Sequence, residues 1–273
     1  MPNNKIIVVI PARYSSTRFP AKVLAKDTGK FLIQHVYEQA RLAKLPDKVI
    51  IAADDKRIVD AAKFFAAECI MTSPDCPSGT DRIAEAIHEL SAIRYPLSAD
   101  DVVVNLQADE PEIDPANIDA VAKLLLDNPD YPMATLAAEF ENESQIADPN
   151  IVKVVVTQYA RRNTHDTGLR AIYFSRSPIP YDRENAGIGP MKNYLCHLGI
   201  YAYRKDFLLK ITKLPQTPLE KIEKLEQLRA IENGFDILVA KVKHTCAGID
   251  TPEQYAEFVK RYENSFRGRR GDE

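Results

Sequence analysis

Residues 5–22 of the chain read KIIVVIPARYSSTRFPAK, an apolar run followed at once by a basic, hydroxyl-rich loop. The run at 5–10 is rich in β-branched residues, which predicts a strand buried on both faces. The loop after it carries three cations, Arg13, Arg18 and Lys22. Because ligands of open α/β sheets bind at the carboxyl ends of the strands, we expect this loop to face a ligand.

Apolar runs of the same kind recur at 48–52 and 102–106, and segments of helical period separate them, near 31–43, 57–67, 81–90 and 115–126. This β-α-β-α alternation predicts an α/β fold with a Rossmann-like, mostly parallel central sheet and helices on both faces. Short strands then follow one another at 151–157, 169–175 and 194–203, which predicts a mixed or antiparallel part. We therefore divide the chain into a nucleotide-binding part at 1–147, a part at 148–265 that completes the same unit, and a frayed tail at 266–273.

Two late helices have explicit start signals. Residues 217–220, TPLE, supply an N-cap, a first-turn proline and a capping-box glutamate, and residues 251–254, TPEQ, repeat the device. The first of these helices is predicted to run to Gly234 and to pack through a stripe of three apolar side chains, Ile222, Leu225 and Leu228.

Composition excludes several classes of protein. The chain has 273 residues, is 45% hydrophobic and carries a net charge of −3, with Lys and Arg spread along it, so no nucleic-acid partner is expected. No apolar run reaches the length of a membrane span and no signal-peptide pattern is present, so we expect a cytoplasmic protein without a membrane partner. The four cysteines lack zinc-ligand spacing and are expected to be free and mostly buried.

The loop after the first strand is neither a dinucleotide fingerprint nor a P-loop, because GxGxxG and GxxxxGK[ST] are both absent. A triphosphate held by side-chain cations fits it better. Arg13 can contact phosphate through two parallel hydrogen bonds, and Lys22 supplies a compact point charge. The alternative is a solvated basic turn between strand and helix, which composition supports equally.

A second polar block follows the strand predicted at 102–106. Residues 107–111 read QADEP, so Gln107, Asp109 and Glu110 emerge at the same edge of the sheet. Carboxylate oxygens there suit Mg²⁺ that bridges phosphate oxygens, although an acidic loop leading into a helix is the stronger interpretation of an isolated acidic pair. Asp250, just before a capped helix, can equally be a carboxylate that stabilises the helix terminus.

Two further groups of polar residues leave alternatives of the same kind. Residues 78–82, SGTDR, open a helix whose unpaired N–H groups can bind an anion, although plain capping by Ser78 is the simpler role. His197 and Tyr201 are four apart in a predicted strand and therefore face one side of it. From the residues alone, a core tyrosine and a hydrogen-bonded core histidine are the better interpretation.

Residues 11–24, PARYSSTRFPAKVL, resemble the signature loop of the 3-deoxy-manno-octulosonate cytidylyltransferases, also called CMP-Kdo synthetases. Further blocks resemble that family's blocks in the same order and cover nearly the whole chain: MTSPDCPSGTDRIAE (71–85), VVNLQADEPEI (103–113), YFSRSPIPYDR (173–183), HLGIYAYR (197–204), KLEQLRAIENG (224–234) and GIDTPE (248–253). The resemblance implies a nucleotide-diphospho-sugar transferase fold.

The activity implied by the resemblance is transfer of CMP from CTP to the anomeric hydroxyl of 3-deoxy-D-manno-octulosonate. The products would be CMP-Kdo, used in lipopolysaccharide biosynthesis, and pyrophosphate. The family precedent also implies Mg²⁺ as cofactor and a homodimer. Two alternatives remain open: a cytidylyltransferase for another acidic sugar, either an amino-substituted octulosonate or a sialic-type acid, and a non-catalytic relative that only binds nucleotide.

The resemblance also implies roles for individual residues. The catalytic residues are Lys22, Arg13 and Asp109, and the metal ligands are Asp109 and Asp250. The CTP-binding residues are Arg13, Ser16, Lys22, Ser78, Gly79 and Arg82. The sugar-binding residues are Gln107, Arg176, His197, Tyr201, Glu226 and Gln227. The chain has Ala21 and Ala108 where the family usually carries glycine or another small residue, and alanine is strained wherever the backbone is left-handed.

Overall fold

The predicted first strand lies inside a parallel layer of the sheet. In the computed structural model, which describes residues 4–16, 18–93, 95–160, 167–243 and 248–270, it is β1 (Ile6–Ala12). It pairs in parallel with β2 (Lys48–Ala53) on one side and β4 (Val102–Asn105) on the other, and β2 pairs in parallel with β3 (Cys69–Met71). The carboxyl ends of these strands therefore meet at one edge.

The predicted alternation of strands and helices in this part is confirmed. The helices are α1 (Leu32–Leu42), α2 (Lys56–Phe64), α3 (Gly79–Ile93) and α4 (Pro115–Leu126). Side chains of β1 alternate between two cores: Val8 and Ile10 pack with α1 and α4, whereas Ile7 and Val9 pack with α3. This alternation explains why the run is apolar at every position.

The second half of the sheet is mixed and mainly antiparallel. It contains β5 (Met133–Ala138), β6 (Lys153–Ala160), β7 (Thr167–Ser175), β8 (Cys196–Arg204) and β9 (Ile237–Val242). The order is β3-β2-β1-β4-β8-β5-β9-β7-β6, and of the pairs from β4 onward only β5 and β9 are parallel. Parallel neighbours need a long crossover connection, and the described chain from β6 to β8 contains no α-helix to provide one. The mixed or antiparallel part that the sequence predicts is therefore confirmed, while parallel pairing is limited to β1 to β4 and to the pair of β5 and β9.

The helix predicted from Thr217 to Gly234 is two short helices, α7 (Pro218–Glu223) and α8 (Leu228–Glu232). Lys224 adopts a left-handed conformation with φ of 55° and ends α7. The break leaves Ile222 77% exposed, while Leu225 and Leu228 are buried as predicted. It also leaves residues 225–227 between the two helices.

The remaining helices are α5 (Glu143–Ala147), α6 (Lys205–Ile211) and α9 (Pro252–Arg270). The predicted cap of α9 is confirmed, because Gln254 Oε1 accepts from the N–H groups of Asp250 and Thr251, at 2.7 and 3.1 Å. The helix continues to Arg270, into the segment 266–273 that the sequence predicts to be a frayed tail.

Among the described residues, no helix has both the length and the apolar composition that crossing a bilayer requires. Cys69, Cys76 and Cys196 are free, as predicted, but half-buried rather than mostly buried. Cys246 lies outside the described residues.

Candidate active site

Lys22 joins three distant parts of the chain. Its buried Nζ donates to Asp109 Oδ2 at 2.7 Å, to Asp250 Oδ1 at 3.2 Å and to the backbone oxygen of Ile249 at 2.6 Å. A lysine ammonium has three N–H donors, so all of them are used here. The structure thus brings the predicted catalytic lysine together with both predicted metal ligands, at the edge where β1 and β4 end.

The loop that carries Lys22 is closed by a hydrogen bond from Ala21 N to Tyr14 O, at 3.2 Å. Ala21 has φ of 55°, a left-handed conformation, so the strain anticipated at this departure from the family is present. Ala108 is not among the residues of positive φ, so alanine is conformationally ordinary there.

Arg13 and Ser16 lie on the same loop. The guanidinium of Arg13 donates to the backbone oxygen of Cys76 at 2.9 Å, which connects the loop to the segment that precedes α3. The hydroxyl of Ser16 accepts from Phe19 N at 3.4 Å. Both residues therefore lie at the carboxyl end of β1, where the sequence predicts the triphosphate.

Ser78 and Gly79 begin α3. The Ser78 hydroxyl accepts from Asp81 N at 3.1 Å and donates to the Asp81 carboxylate at 2.6 Å, which is ordinary N-capping. A Cβ added to Gly79 would lie 3.5 Å from Pro11 Cγ, an ordinary contact, so packing within the chain does not require glycine at this position.

The Arg82 side chain is not at the surface of the site. It is fully buried, and its guanidinium donates to Thr72 Oγ1 at 2.7 Å, to Ser73 O at 3.2 Å and to Asp54 Oδ2 at 3.4 Å. The other oxygen of Asp54 accepts from Tyr14 N at 2.9 Å. Arg82 therefore lies beneath the two loops and connects them through Asp54.

A pocket of about 610 Å³ opens beside the group formed by Lys22, Asp109 and Asp250. Three of the predicted sugar-binding residues line it, and so does one predicted metal ligand: His197, Tyr201, Gln227 and Asp250. The first three come from β8 and from the turn between α7 and α8. β8 lies antiparallel beside β4, and Asn105 at the end of β4 pairs with Tyr201. This pairing places the two β8 residues next to the segment that carries Asp109.

His197 is buried, and burial lowers its pKa to about 3, so the ring is neutral near pH 7. Its Nε2 lies 3.0 Å from Thr135 Oγ1, which also contacts the backbone oxygen of Ile200 at 2.8 Å. A hydroxyl has one proton, and a carbonyl oxygen can only accept. We therefore assign the proton of the ring to Nε2, which leaves Nδ1 as a hydrogen-bond acceptor.

Tyr201 remains protonated, because burial and the nearby carboxylates of Glu226 and Glu110 raise its pKa well above the usual value. Gln227 is 6% exposed, and its Nε2 has no hydrogen-bond partner within the part of the chain that the structure describes. Gln107, close by, donates from Nε2 to Asn105 Oδ1 at 3.0 Å. The pocket thus contains neutral donors and acceptors, as sugar hydroxyls require.

Glu226 is placed differently from its neighbour Gln227. It lines a separate cavity of about 350 Å³ that also contains Ser78. Burial raises the pKa of its carboxyl group, and hydrogen bonds with Thr80 and Ser78 oppose that shift. Glu226 therefore contacts the start of α3 and connects the turn that carries Gln227 to the predicted nucleotide loop.

The structure does not bring Arg176 to the pocket. Its Nε donates to Glu223 O at 2.7 Å and its Nη1 to Pro149 O at 2.9 Å, while its backbone N–H donates to the Glu223 carboxylate at 3.0 Å. These bonds fix the end of α7 against the segment between α5 and β6.

A family model described as Cytidylyltransferase matches residues 7–237. The 3-deoxy-manno-octulosonate cytidylyltransferase of Solibacter usitatus is 46% identical to the chain over 262 residues, which cover 96% of either protein. This chain belongs to the 3-deoxy-manno-octulosonate cytidylyltransferase family. The resemblance inferred from its sequence blocks is thereby confirmed.

Two further relatives of this cytidylyltransferase are named after different sugar acids. The 8-amino-3,8-dideoxy-manno-octulosonate cytidylyltransferase of Shewanella halifaxensis is 45% identical, covering 91% of this chain and 94% of its own. A solved CMP:2-keto-3-deoxy-manno-octonic acid synthetase, complexed with CTP, is 40% identical with a TM-score of 0.82 and covers 96% of this chain and 100% of its own. The α/β nucleotidyltransferase fold is shared with that structure.

Magnesium suits the residues that this cytidylyltransferase places at the edge of the sheet. Asp109 and Asp250 supply hard oxygen ligands, and the described residues contain no cluster of three or more acidic, histidine or cysteine side chains able to hold a metal. Mg²⁺ is commonly bound by one or two carboxylates, with water and substrate phosphates in the other positions. Two carboxylates beside the loop for which the sequence predicts a triphosphate therefore fit the ion.

Sequence reasoning assigned no role to two residues that line the pocket of this cytidylyltransferase, Glu110 and Arg18. Burial raises the pKa of Glu110 to about 8, and the negative charge of the neighbouring Asp109 makes a smaller contribution in the same direction. Both residues lie in the matched sequence blocks, but the direction of their side chains depends on contacts with remote parts of the chain. Thr135, which orients His197, stands in no motif at all.

Proposed function

We propose that the protein transfers CMP from CTP to the anomeric hydroxyl of 3-deoxy-D-manno-octulosonate, giving CMP-Kdo and pyrophosphate for lipopolysaccharide biosynthesis. The main support is a single spatial relationship. Lys22, Asp109 and Asp250 lie directly beside a pocket lined by His197, Tyr201 and Gln227. Charged groups for a triphosphate and neutral groups for a polyhydroxylated acceptor therefore lie side by side.

In the proposed reaction the anomeric oxygen attacks the α-phosphorus, its proton leaves, and the bond between the α-phosphorus and the bridging oxygen of pyrophosphate breaks. No covalent enzyme intermediate is needed. Positioning and charge stabilisation supply most of the acceleration in such transfers. Mg²⁺ held by Asp109 and Asp250 would neutralise phosphate charge and lower the pKa of the attacking hydroxyl.

On the nucleotide side, we assign Arg13 and Lys22 to the phosphates, with Ser16 on the same loop. Ser78 and Gly79 begin α3, whose first N–H groups suit a polar or anionic group of the nucleotide. The burial of Arg82 favours a supporting role for its side chain, because its guanidinium is already hydrogen-bonded to three residues in two chain segments.

On the sugar side, His197 Nδ1 would accept a hydrogen bond from a hydroxyl, and Tyr201 and Gln227 would donate. Gln107 lies beside Gly199, a residue of the pocket lining. We also propose, from the precedent of the family, that the enzyme is a cytoplasmic homodimer. Light scattering on the purified chain tests the dimer, and a monomer at micromolar concentration would contradict it.

The test of function is pyrophosphate release with Mg²⁺ and CTP, comparing 3-deoxy-manno-octulosonate, its 8-amino-8-deoxy form, a sialic acid and no acceptor. We expect release with the octulosonate and little with the sialic acid. Release only with the amino form would move the substrate to that sugar, and release with none would indicate a nucleotide binder without this activity.

A further inference from the structure

The pocket proposed for the acceptor is acidic. Leaving aside Glu110, whose pKa is raised, four of the described residues that line it carry carboxylates: Glu139, Glu141, Asp148 and Asp250. One cationic side chain in that lining balances them, and it belongs to Arg18. The proposed acceptor is itself a carboxylate. An acid enters an acidic pocket unfavourably unless a cation or a metal ion faces it.

Other cations near the pocket already have partners. The guanidinium of Arg176 is bound to the backbone oxygens of Glu223 and Pro149. Lys22 is held by Asp109, Asp250 and Ile249, and it is already assigned to the phosphates of CTP. The fully buried Lys153 donates to backbone oxygens of Asp148 and Ile151, at 2.9 and 2.6 Å. None of these three lines the pocket in the part of the chain that the structure describes.

In the described part of the chain, no hydrogen bond engages the guanidinium of Arg18. Its side chain is 67% exposed, and Nη1 lies 3.8 Å from Asp250 Oδ2, beyond hydrogen-bonding distance. Asp250 thus attracts the guanidinium toward the pocket without using its donors. A planar guanidinium binds a carboxylate through two parallel N–H···O bonds.

The position of Arg18 also matches the chemistry of the acceptor. In a 2-keto sugar acid the carboxylate is attached to the anomeric carbon, so the group that binds it must lie at the reacting end of the pocket. Arg18 lies there, because Asp250 contacts both Arg18 and Lys22. Arg176, which contacts the segment between α5 and β6, does not.

We propose that Arg18 binds the carboxylate of the sugar acid and thereby orients the anomeric hydroxyl toward the α-phosphorus. This inference rests on the proposed function, and it assigns the specificity for an acid to a loop that otherwise serves the nucleotide. Arg18 would select acceptors with a carboxylate beside the reacting carbon, whatever the substituent at the far end of the sugar.

The test compares two acceptors and two enzymes. Pyrophosphate release is measured with Mg²⁺ and CTP, using 3-deoxy-manno-octulosonate and its C1 carboxamide, for the unchanged protein and for Arg18→Gln. The unchanged protein should prefer the acid by about 100-fold in kcat/KM, as two charge-assisted hydrogen bonds imply. In Arg18→Gln the preference should fall to about tenfold or less, with the KM for CTP nearly unchanged.

Three results are informative beyond that comparison. Arg18→Lys should recover part of the preference for the acid, and Arg176→Gln should retain the full preference in whatever fraction of it folds. A raised KM for CTP in Arg18→Gln with an unchanged preference would overturn the proposal and assign Arg18 to the triphosphate. If Arg18→Gln turns over neither acceptor, calorimetric binding of acid and amide in the presence of a non-hydrolysable CTP analogue gives the same ratio.

The same measurements distinguish a failure of the role of Arg18 from a failure of the proposed function. Turnover of the octulosonate by the unchanged protein tests the function alone. Normal turnover with an equal preference in both enzymes would leave the function standing and remove Arg18 from carboxylate binding. Absence of turnover with the octulosonate would remove both.

Discussion

Lys22 Nζ lies 2.7 Å from Asp109 Oδ2, although 87 residues separate the two in the chain. The same nitrogen contacts Asp250, which is 228 residues away. Three charged groups meet only because the ends of β1 and β4 and the start of α9 meet at one edge of the sheet. Each of the three should therefore affect activity, and the first two predictions concern this group.

Lys22→Met should reduce the turnover number by at least about 100-fold, because a charge aimed at the leaving group commonly contributes two to three orders of magnitude. Steady-state pyrophosphate release measures it. Lys56→Met, an exposed lysine on α2, serves as the matched control and should leave turnover within twofold. A turnover number near that of the unchanged protein in Lys22→Met, with normal thermal unfolding, would remove Lys22 from the mechanism.

Asp250→Asn should raise the Mg²⁺ concentration for half-maximal activity by at least about tenfold, since changes even outside the ligand set cost that much. The measurement is a Mg²⁺ titration of pyrophosphate release at saturating CTP. Asp236→Asn, at an exposed carboxylate paired with Arg170, is the control. An unchanged Mg²⁺ requirement in Asp250→Asn would favour a purely structural role at the start of α9.

Arg82→Met should lower the free energy of unfolding by about 3 kcal/mol, because it removes a buried charge and leaves Asp54 without that partner. The folded fraction should retain turnover better than Arg13→Met, which changes a loop residue proposed to contact phosphate. Urea unfolding and initial rates, measured on both variants, distinguish a residue that stabilises the site from one that contacts the nucleotide. Greater loss of turnover in Arg82→Met than in Arg13→Met, per folded molecule, would assign Arg82 to the nucleotide directly.

His197 should make the protein less stable in acid. Its pKa is about 3 in the folded protein and about 6.5 unfolded, so its contribution is complete above pH 6.5 and is lost as pH falls toward 3. Between pH 7.5 and 5, the unchanged protein should lose about 2 kcal/mol more unfolding free energy than His197→Gln. His35, whose pKa is also lowered, is common to both proteins and cancels. Equal losses measured by urea unfolding would contradict the assignment of a neutral, buried ring.

Ala21→Gly should stabilise the protein by about 0.5–1 kcal/mol, because glycine relieves the left-handed strain while adding chain entropy to the unfolded state. Ala108→Gly is the matched comparison, since it restores a small residue at a position without positive φ. It should destabilise by about 1 kcal/mol through a lost buried methyl group. Chemical denaturation of both variants checks the pair, and the same sign for both would show that φ is not the cause.

Local patterns predicted most elements but not how the later strands are arranged. The helix at 115–126 is where its period indicates, and the capping device at Thr251 forms. The break at Lys224 was missed, because a lysine gives no local signal for a left-handed residue. Antiparallel β8 could not be placed between β4 and β5 from sequence either, since its partners lie about 60 to 100 residues away.

The strand-then-loop pattern at residues 5–22, the chemistry of Lys22, Asp109 and Asp250, and the family could all be predicted without coordinates. They follow from short-range periodicity and from matched blocks. The burial of Arg82, the different cavities of Glu226 and Gln227, and the placement of Arg18 rather than Arg176 at the pocket depend on how distant segments pack. The physical reason is that a charged side chain points where distant segments leave it a partner or an opening, and no local pattern encodes those segments.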